Sequence, residues 1–345
     1  MSDQGLDELD IERAGALLGW LRAAGRIGPE ETPRIETLAG GVSNRTVLVE
    51  RPSGEAWVVK QALAKLRVQV DWFSSPERIH REALGLRWLE RLAPPGATVS
   101  FVFEDDAHHL LGMAAAPRPH VNWKTMLLAG QLEPDHVEQF GRLLGTIHRR
   151  SAERRPEIAP VFADRGFFTS LRLEPYYAYT AMQVPAAAPF LTDLIAATLD
   201  RRDTLVHGDY SPKNVLVHAG RLILLDHEVV HFGDPGFDLG FSLTHFLSKA
   251  HHLPAHRAAF AHAAARYWAV YRETAGDAPW TAGLEERAAR HTLACLLARV
   301  RGRSPLEYLD DAARDRQARA VVALMAAPPL TVAELAARFT RLLEA

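Results

Sequence analysis

The stretch His207-Gly208-Asp209-Tyr210-Ser211-Pro212-Lys213-Asn214, followed twelve residues after its asparagine by Asp226-His227-Glu228, constrains this chain more than any other feature. It sits in a Leu/Val-rich segment, Leu205 to Asp226, while helical spacing dominates after it. The pattern predicts a strand–loop–strand–turn–strand island. Its loop carries Asp209 five residues ahead of Asn214, and two acids close the apolar run Leu222-Ile223-Leu224-Leu225. If that run continues as a strand, residues two apart share a face, and Asp226 and Glu228 turn toward one cation. A carboxylate to take a hydroxyl proton, with oxygen ligands for magnesium, is the set that phosphoryl transfer from ATP requires. Asp209 is accordingly expected as the base, and Asn214, Asp226 and Glu228 as ligands of Mg2+.

The rest of the chain has the matching order. Ile11–Ala24 carries apolar residues at helical spacing, and Ile35–Leu38, Thr46–Val49 and Trp57–Val59 read as strands joined by glycine- and proline-containing turns. Pro76–Leu92 reads as a helix, and Thr98–Phe103 and His109–Ala115 as two further strands. Beyond Pro117-Arg118-Pro119 the pattern turns helical, with Pro134–Arg149 and Phe190–Leu199 as clear cases. At 345 residues, two lobes are expected: residues 1–116 as a small β-rich lobe and 117–345 as a large, mostly helical one. This is an α+β, two-lobed, protein-kinase-like arrangement.

In the small lobe, Gly40 and Gly41 permit close backbone approach to phosphate, and Ser43 and Asn44 can donate hydrogen bonds to it. Lys60 ends a strand, where it can hold nucleotide phosphates, and Glu82 on the next helix can pair with it. His207 and Asp238 are expected to be structural, anchoring the Asp209 loop from beside and below. His227-Glu228-Val229-Val230-His231 also matches a zinc-peptidase pattern. That chemistry needs a helix, whereas the segment reads as extended and then turned.

Formal net charge is -2, so bulk charge points to neither nucleic acid nor membrane as partner. Cys295 is the single cysteine, and no secretory signal pattern is visible at Met1 to Gly5; a cytoplasmic protein, monomer or homodimer, is expected.

Taken together, Gly40-Gly41-Val42-Ser43-Asn44, Lys60, Glu82, Leu144-Gly145-Thr146-Ile147-His148, His207–Asn214 and Asp226 resemble the aminoglycoside phosphotransferase/choline kinase-like family. Val59-Lys60-Gln61-Ala62-Leu63 and Asp226-x-Glu228, followed by Gly233-Asp234-Pro235-Gly236-Phe237-Asp238-Leu239-Gly240, are similar to the methylthioribose kinase branch. That branch has a serine where this chain keeps Asn214. The resemblance implies an ATP- and Mg-dependent small-molecule kinase, acting on a hydroxyl of a sugar, aminoglycoside or amino-alcohol. It also implies C-terminal arginines near the substrate, here Arg299 and Arg303 on a loose alignment. The alternative of a different class is a nucleotide-binding pseudokinase that works by interaction.

Overall fold

Alternating burial sets the first sheet. The computed structural model describes residues 9–38, 43–67 and 73–344. The chain divides into two compact units, Met1–Trp88 with Val99–Pro117, and Leu89–Thr98 with Arg118–Ala345.

In the first unit, α1 (Ala14–Ala23) precedes β1 (Arg34–Thr37), β2 (Asn44–Glu50) and β3 (Ala56–Ala62); α2 (Arg78–Leu92) then leads to β4 (Phe101–Asp105) and β5 (Leu110–Ala114). The strands form one antiparallel sheet in the order β1-β2-β3-β5-β4. Along β3, Trp57, Val59 and Gln61 are buried while Val58 and Lys60 are half-buried, the two-residue period of a strand with unequal faces. Trp57 and Val59 join Leu17, Leu21, Val47, Val49, Phe103 and Leu110 in one core.

The second unit begins with β6 (Val121–Asn122), α3 (Trp123–Leu128) and α4 (Pro134–Glu153). After α5 (Arg155–Val161) and α6 (Gly166–Phe168) comes a π-helical stretch, Thr169–Ala178, then α7 (Tyr179–Gln183) and α8 (Ala188–Asp200). The expected island follows as β7 (Thr204–Val206), a loop, β8 (Val215–His218) and β9 (Arg221–Leu224); β10 (His231–Gly233) pairs back onto β7. Helices then run to the end: α9 (Pro235–His252), α10 (Arg257–Ala275), α11 (Leu284–Arg301), α12 (Asp311–Met325) and α13 (Val332–Leu342).

Small residues let these helices approach closely. A Cβ on Gly240 of α9 would lie 2.3 Å from His291 Cβ on α11, and one on Gly141 of α4 would lie 2.7 Å from the Tyr267 carbonyl of α10. Among the described residues no single helix is long and apolar enough to cross a membrane.

Asp234 starts α9. Its Oδ1 accepts from Gly236 N at 2.9 Å and from Arg287 Nε at 3.1 Å, and His291 Nε2 lies 3.6 Å from its Oδ2. Burial works to raise its pKa, but His291, Arg287 and the Gly236 N–H overcome that and hold it at about 2. The folded value lies below the unfolded one of about 3.9. The stabilisation is therefore complete above that value and lost as pH falls through about 2. Urea denaturation of Asp234→Asn is expected to show a loss of roughly 2 kcal/mol at pH 7. The gap from wild type should close as pH is lowered from about 4 towards 2.

Candidate active site

A buried carboxylate fixes the loop between β7 and β8. Asp238, on the first turn of α9, is fully buried and accepts from the backbone N–H of His207 at 2.7 Å and of Gly208 at 2.8 Å. His148 of α4 meets the same carboxylate, with Nε2 3.2 Å from Oδ2 and Nδ1 2.9 Å from the Tyr271 hydroxyl. Burial raises the Asp238 pKa; His148, His207 and the backbone N–H groups more than reverse it, so the group stays an anion. Gly208 has φ 78°, and a Cβ there would lie 2.8 Å from a Val229 methyl. Glycine is thus required both by backbone conformation and by space.

His207 is neutral for a related reason. Burial pushes its pKa down against the pull of Asp238, Asp209 and Asp226. Its Nδ1 accepts from Asp209 N at 3.2 Å while its Nε2 faces the Leu225 carbonyl at 3.2 Å, which assigns the proton to Nε2. Tyr210 completes the anchoring. Its ring stacks on Phe140 with centroids 4.1 Å apart, and its hydroxyl donates to the Phe140 carbonyl at 2.8 Å.

On this support the Asp209 side chain is held from one side only. Oδ2 receives Asn214 Nδ2 at 2.8 Å and Arg172 Nη2 at 3.0 Å. Among the described residues Oδ1 receives no protein donor. Asn214 Nδ2 also donates to the Asp209 carbonyl at 3.0 Å, so its amide oxygen points away from those bonds.

Arg172 has no counterpart among the residues expected from sequence. It projects from the π-helical stretch, is buried, and also donates through Nε to the Gly208 carbonyl at 2.8 Å. Burial opposes its charge, yet Asp209, then Tyr176, Glu228 and Asp226, keep it cationic. The structure thus brings Asp209, Asp226 and Glu228 into the field of one guanidinium, with Asn214 beside it.

One expectation requires correction. Asp226 and Glu228 do not lie on a strand, because β9 ends at Leu224. The chain must reverse within a few residues to pair His231 with Val206, and Asp226 supports the reversal in a left-handed conformation with φ 67°. Aspartate tolerates that region better than most residues. Glu228 follows in the turn, so alternation along a strand is not what relates the two acids. The same reversal removes the geometry a zinc peptidase needs. His227 faces His207, His231 opens β10 and stacks on Phe168, and the two do not share a helical face.

In the first unit, Lys60 Nζ and Glu82 Oε1 are 2.6 Å apart, with Glu82 almost fully buried. Gly40 and Gly41 lie outside the described residues. Asn44 opens β2 with Ser43 just before it, and the buried Arg78 donates to the Ser43 carbonyl and, at 2.9 Å, to the Leu63 carbonyl. Arg78 was not legible from sequence; its signal is only its place at the start of α2. Of the two C-terminal arginines, Arg299 bonds Tyr176 OH at 3.1 Å, whereas Arg303 is exposed and lies over Tyr179. Tyr177 is core, bonded to His291 and Cys295.

Comparison with known proteins agrees with this frame. The profile of the phosphotransferase enzyme family matches residues 34–276. The chain belongs to that family. Curated relatives include the methylthioribose kinase of Pectobacterium carotovorum subsp. carotovorum (strain PC1), 25% identical over 257 residues, covering 66% of this chain and 62% of the relative. Methylthioribose kinase 2 of Oryza sativa subsp. japonica is 24% identical over 272 residues, covering 69% and 62%. The family chain therefore spans about three fifths of these relatives' length. Among solved structures, a choline/ethanolamine kinase family protein from Mesorhizobium loti superposes with TM-score 0.55 at 16% identity, over 95% of this chain and 99% of that one. An amicoumacin kinase solved with AMP-PNP and Ca2+ gives 0.53 at 16%, over 91% and 94%. The fold is that of the protein-kinase-like phosphotransferases.

Asp238→Ala strips two backbone donors and His148 of their shared acceptor. Denaturant titration should show a loss of about 3–5 kcal/mol.

Proposed function

We propose that this chain transfers the γ-phosphoryl group of ATP to a hydroxyl of a small molecule. The observation that carries this reading is the one-sided capture of Asp209. Arg172 and Asn214 hold Oδ2 and leave Oδ1 to an incoming hydroxyl, so the carboxylate is oriented before substrate arrives. Asp209 positions the acceptor hydroxyl and takes its proton as the new O–P bond forms and the bond to the departing ADP oxygen breaks. The proton leaves with Asp209 and the electron pair of the broken bond leaves with ADP.

Asn214, Asp226 and Glu228 suit a hard divalent cation. They offer two carboxylates and an amide oxygen whose own NH2 is already spent on Asp209. Mg2+ held there would neutralise phosphate charge. In the small unit, Lys60, fixed by Glu82, is assigned to the nucleotide phosphates, together with Gly40, Gly41, Ser43 and Asn44. The named complex of the amicoumacin kinase with AMP-PNP and Ca2+ supports nucleotide and divalent-ion use. The curated relatives support a hydroxylated metabolite as acceptor.

Steady-state kinetics with ATP, Mg2+ and a panel of hydroxylated metabolites tests this. Asp209→Asn should lower kcat by about 10²–10⁴ while AMP-PNP binding persists. Undiminished turnover in that variant would remove Asp209 from the role of base.

A further inference from the structure

Lys249 is a lysine in an unusual place. It lies on α9, fully buried, and its ammonium makes one long hydrogen bond, to the His245 carbonyl at 3.4 Å, with the Tyr308 ring 5.6 Å away. Among the described residues no carboxylate pairs with it. A buried ammonium without a counter-ion is costly to maintain, and among the described residues two of its three N–H donors have no protein acceptor.

Further cations surround it. Arg299 of α11 is spent on neutral partners, Tyr176 OH at 3.1 Å and Ser304 Oγ at 2.8 Å, and its buried Nε has no partner. Lys124 of α3 pairs with Glu307, which is 61% exposed. Burial, then Lys249, Arg299, Lys124 and Lys213, all disfavour a proton on His245. Contacts with one segment tie three of these cations to one region: Arg299 bonds Ser304, Lys124 pairs with Glu307, and Lys249 lies over Tyr308. Glu307 is the only acid paired with any of them among the described residues. Burial, reinforced by Lys124 and Arg299 and opposed by Glu307, pushes Lys249 down to about 7. That is the signature of a cluster in which positive charge exceeds negative.

The cluster adjoins the Asp209 loop at two points. Lys213 belongs to that loop, and Asn122 ties it to α3 by donating to the Lys213 carbonyl at 2.7 Å while accepting from Lys124 N at 3.0 Å. On the other side, Arg172, which holds Asp209, and Arg299 share the Tyr176 ring, their guanidinium carbons 6.0 and 5.9 Å from its centre. One aromatic ring thus separates the partner of the base from the cluster.

We propose that the acceptor of this phosphotransferase carries an anionic group, a phosphate or a carboxylate, and that Lys249, Arg299 and Lys124 receive it while Asp209 meets its hydroxyl. The inference rests on the function proposed above and narrows it: an acceptor whose only charge is an amine, such as an aminoglycoside or choline, would face like charge here.

Calorimetry on protein saturated with AMP-PNP and Mg2+ provides the test. The probes are matched hydroxylated compounds: ribose 5-phosphate against ribose, glycerate against glycerol, and choline as the cation. The phosphate and carboxylate arms distinguish the two anionic groups. An anionic member is expected to bind at least about tenfold tighter than its neutral match, the scale of one charge-assisted contact. Lys249→Met should erase that preference. Lys124→Ala, at a partly exposed position, should weaken it and serves if the buried variant fails to fold. Equal binding of neutral and anionic members, tighter binding of choline, no binding of either anion, or a preference that survives both substitutions would overturn the inference. ATP turnover on the same compounds reads the underlying function separately. Asp209-dependent phosphorylation of a neutral or cationic acceptor would keep the kinase and discard the anion site. Lys249-dependent anion binding without any turnover would do the reverse.

Discussion

The Asp238 carboxylate, buried in the second unit, carries the arrangement around Asp209. A carboxylate without water is tolerable only when its oxygens are fully used, and here two backbone N–H groups and His148 use them. The cost of leaving any of these unpaired forces α4, α9 and the β7–β8 loop into one register. Tyr210 then seals the loop against Phe140, and Gly208 permits the backbone to pass Val229. Asp209 is placed by this framework rather than by flexible loop contacts, as a reacting group needs.

Charge balance in the same unit has two opposite regimes. Around Arg172, three acids surround one buried cation, and their attraction exceeds the burial penalty. Around Lys249, the cations Arg299 and Lys124 lie along the same 304–308 segment, and one exposed carboxylate, Glu307, answers them. Tyr176 stands at the boundary, with a guanidinium from each regime near its ring. The contrast is functional in form: the acidic side suits a divalent ion, the basic side an acceptor of negative charge.

Much of this could be read from the chain. The meander of β1 to β3, the helix carrying Glu82 and the island around Asp209 follow from alternation, helical spacing and turn residues. Lys60 and Glu82 were legible because a strand position and a helix position fix their directions, although β3 runs on past Lys60 to Ala62. The relation of Asp226 to Glu228 was not, because an apolar run does not reveal where pairing stops: Leu225 N still bonds the Asn214 carbonyl in the β8–β9 register, and the chain turns away at Asp226. Arg172 was hidden for another reason: π-helical geometry around Pro175 breaks the spacing by which faces are assigned. Lys249 carries no signal in the sequence, since only tertiary packing shows that it is buried with no carboxylate paired to it among the described residues.

The central claim is that Asn214, Asp226 and Glu228 gather one divalent ion beside a base held by Arg172. Electron paramagnetic resonance of Mn2+ titrated into the protein with AMP-PNP tests it most directly. The account predicts one tightly bound, nucleotide-dependent ion in the wild type, lost or strongly weakened in Asp226→Asn and weakened in Asn214→Ala. Unchanged Mn2+ binding in both variants, with the nucleotide bound, would contradict it.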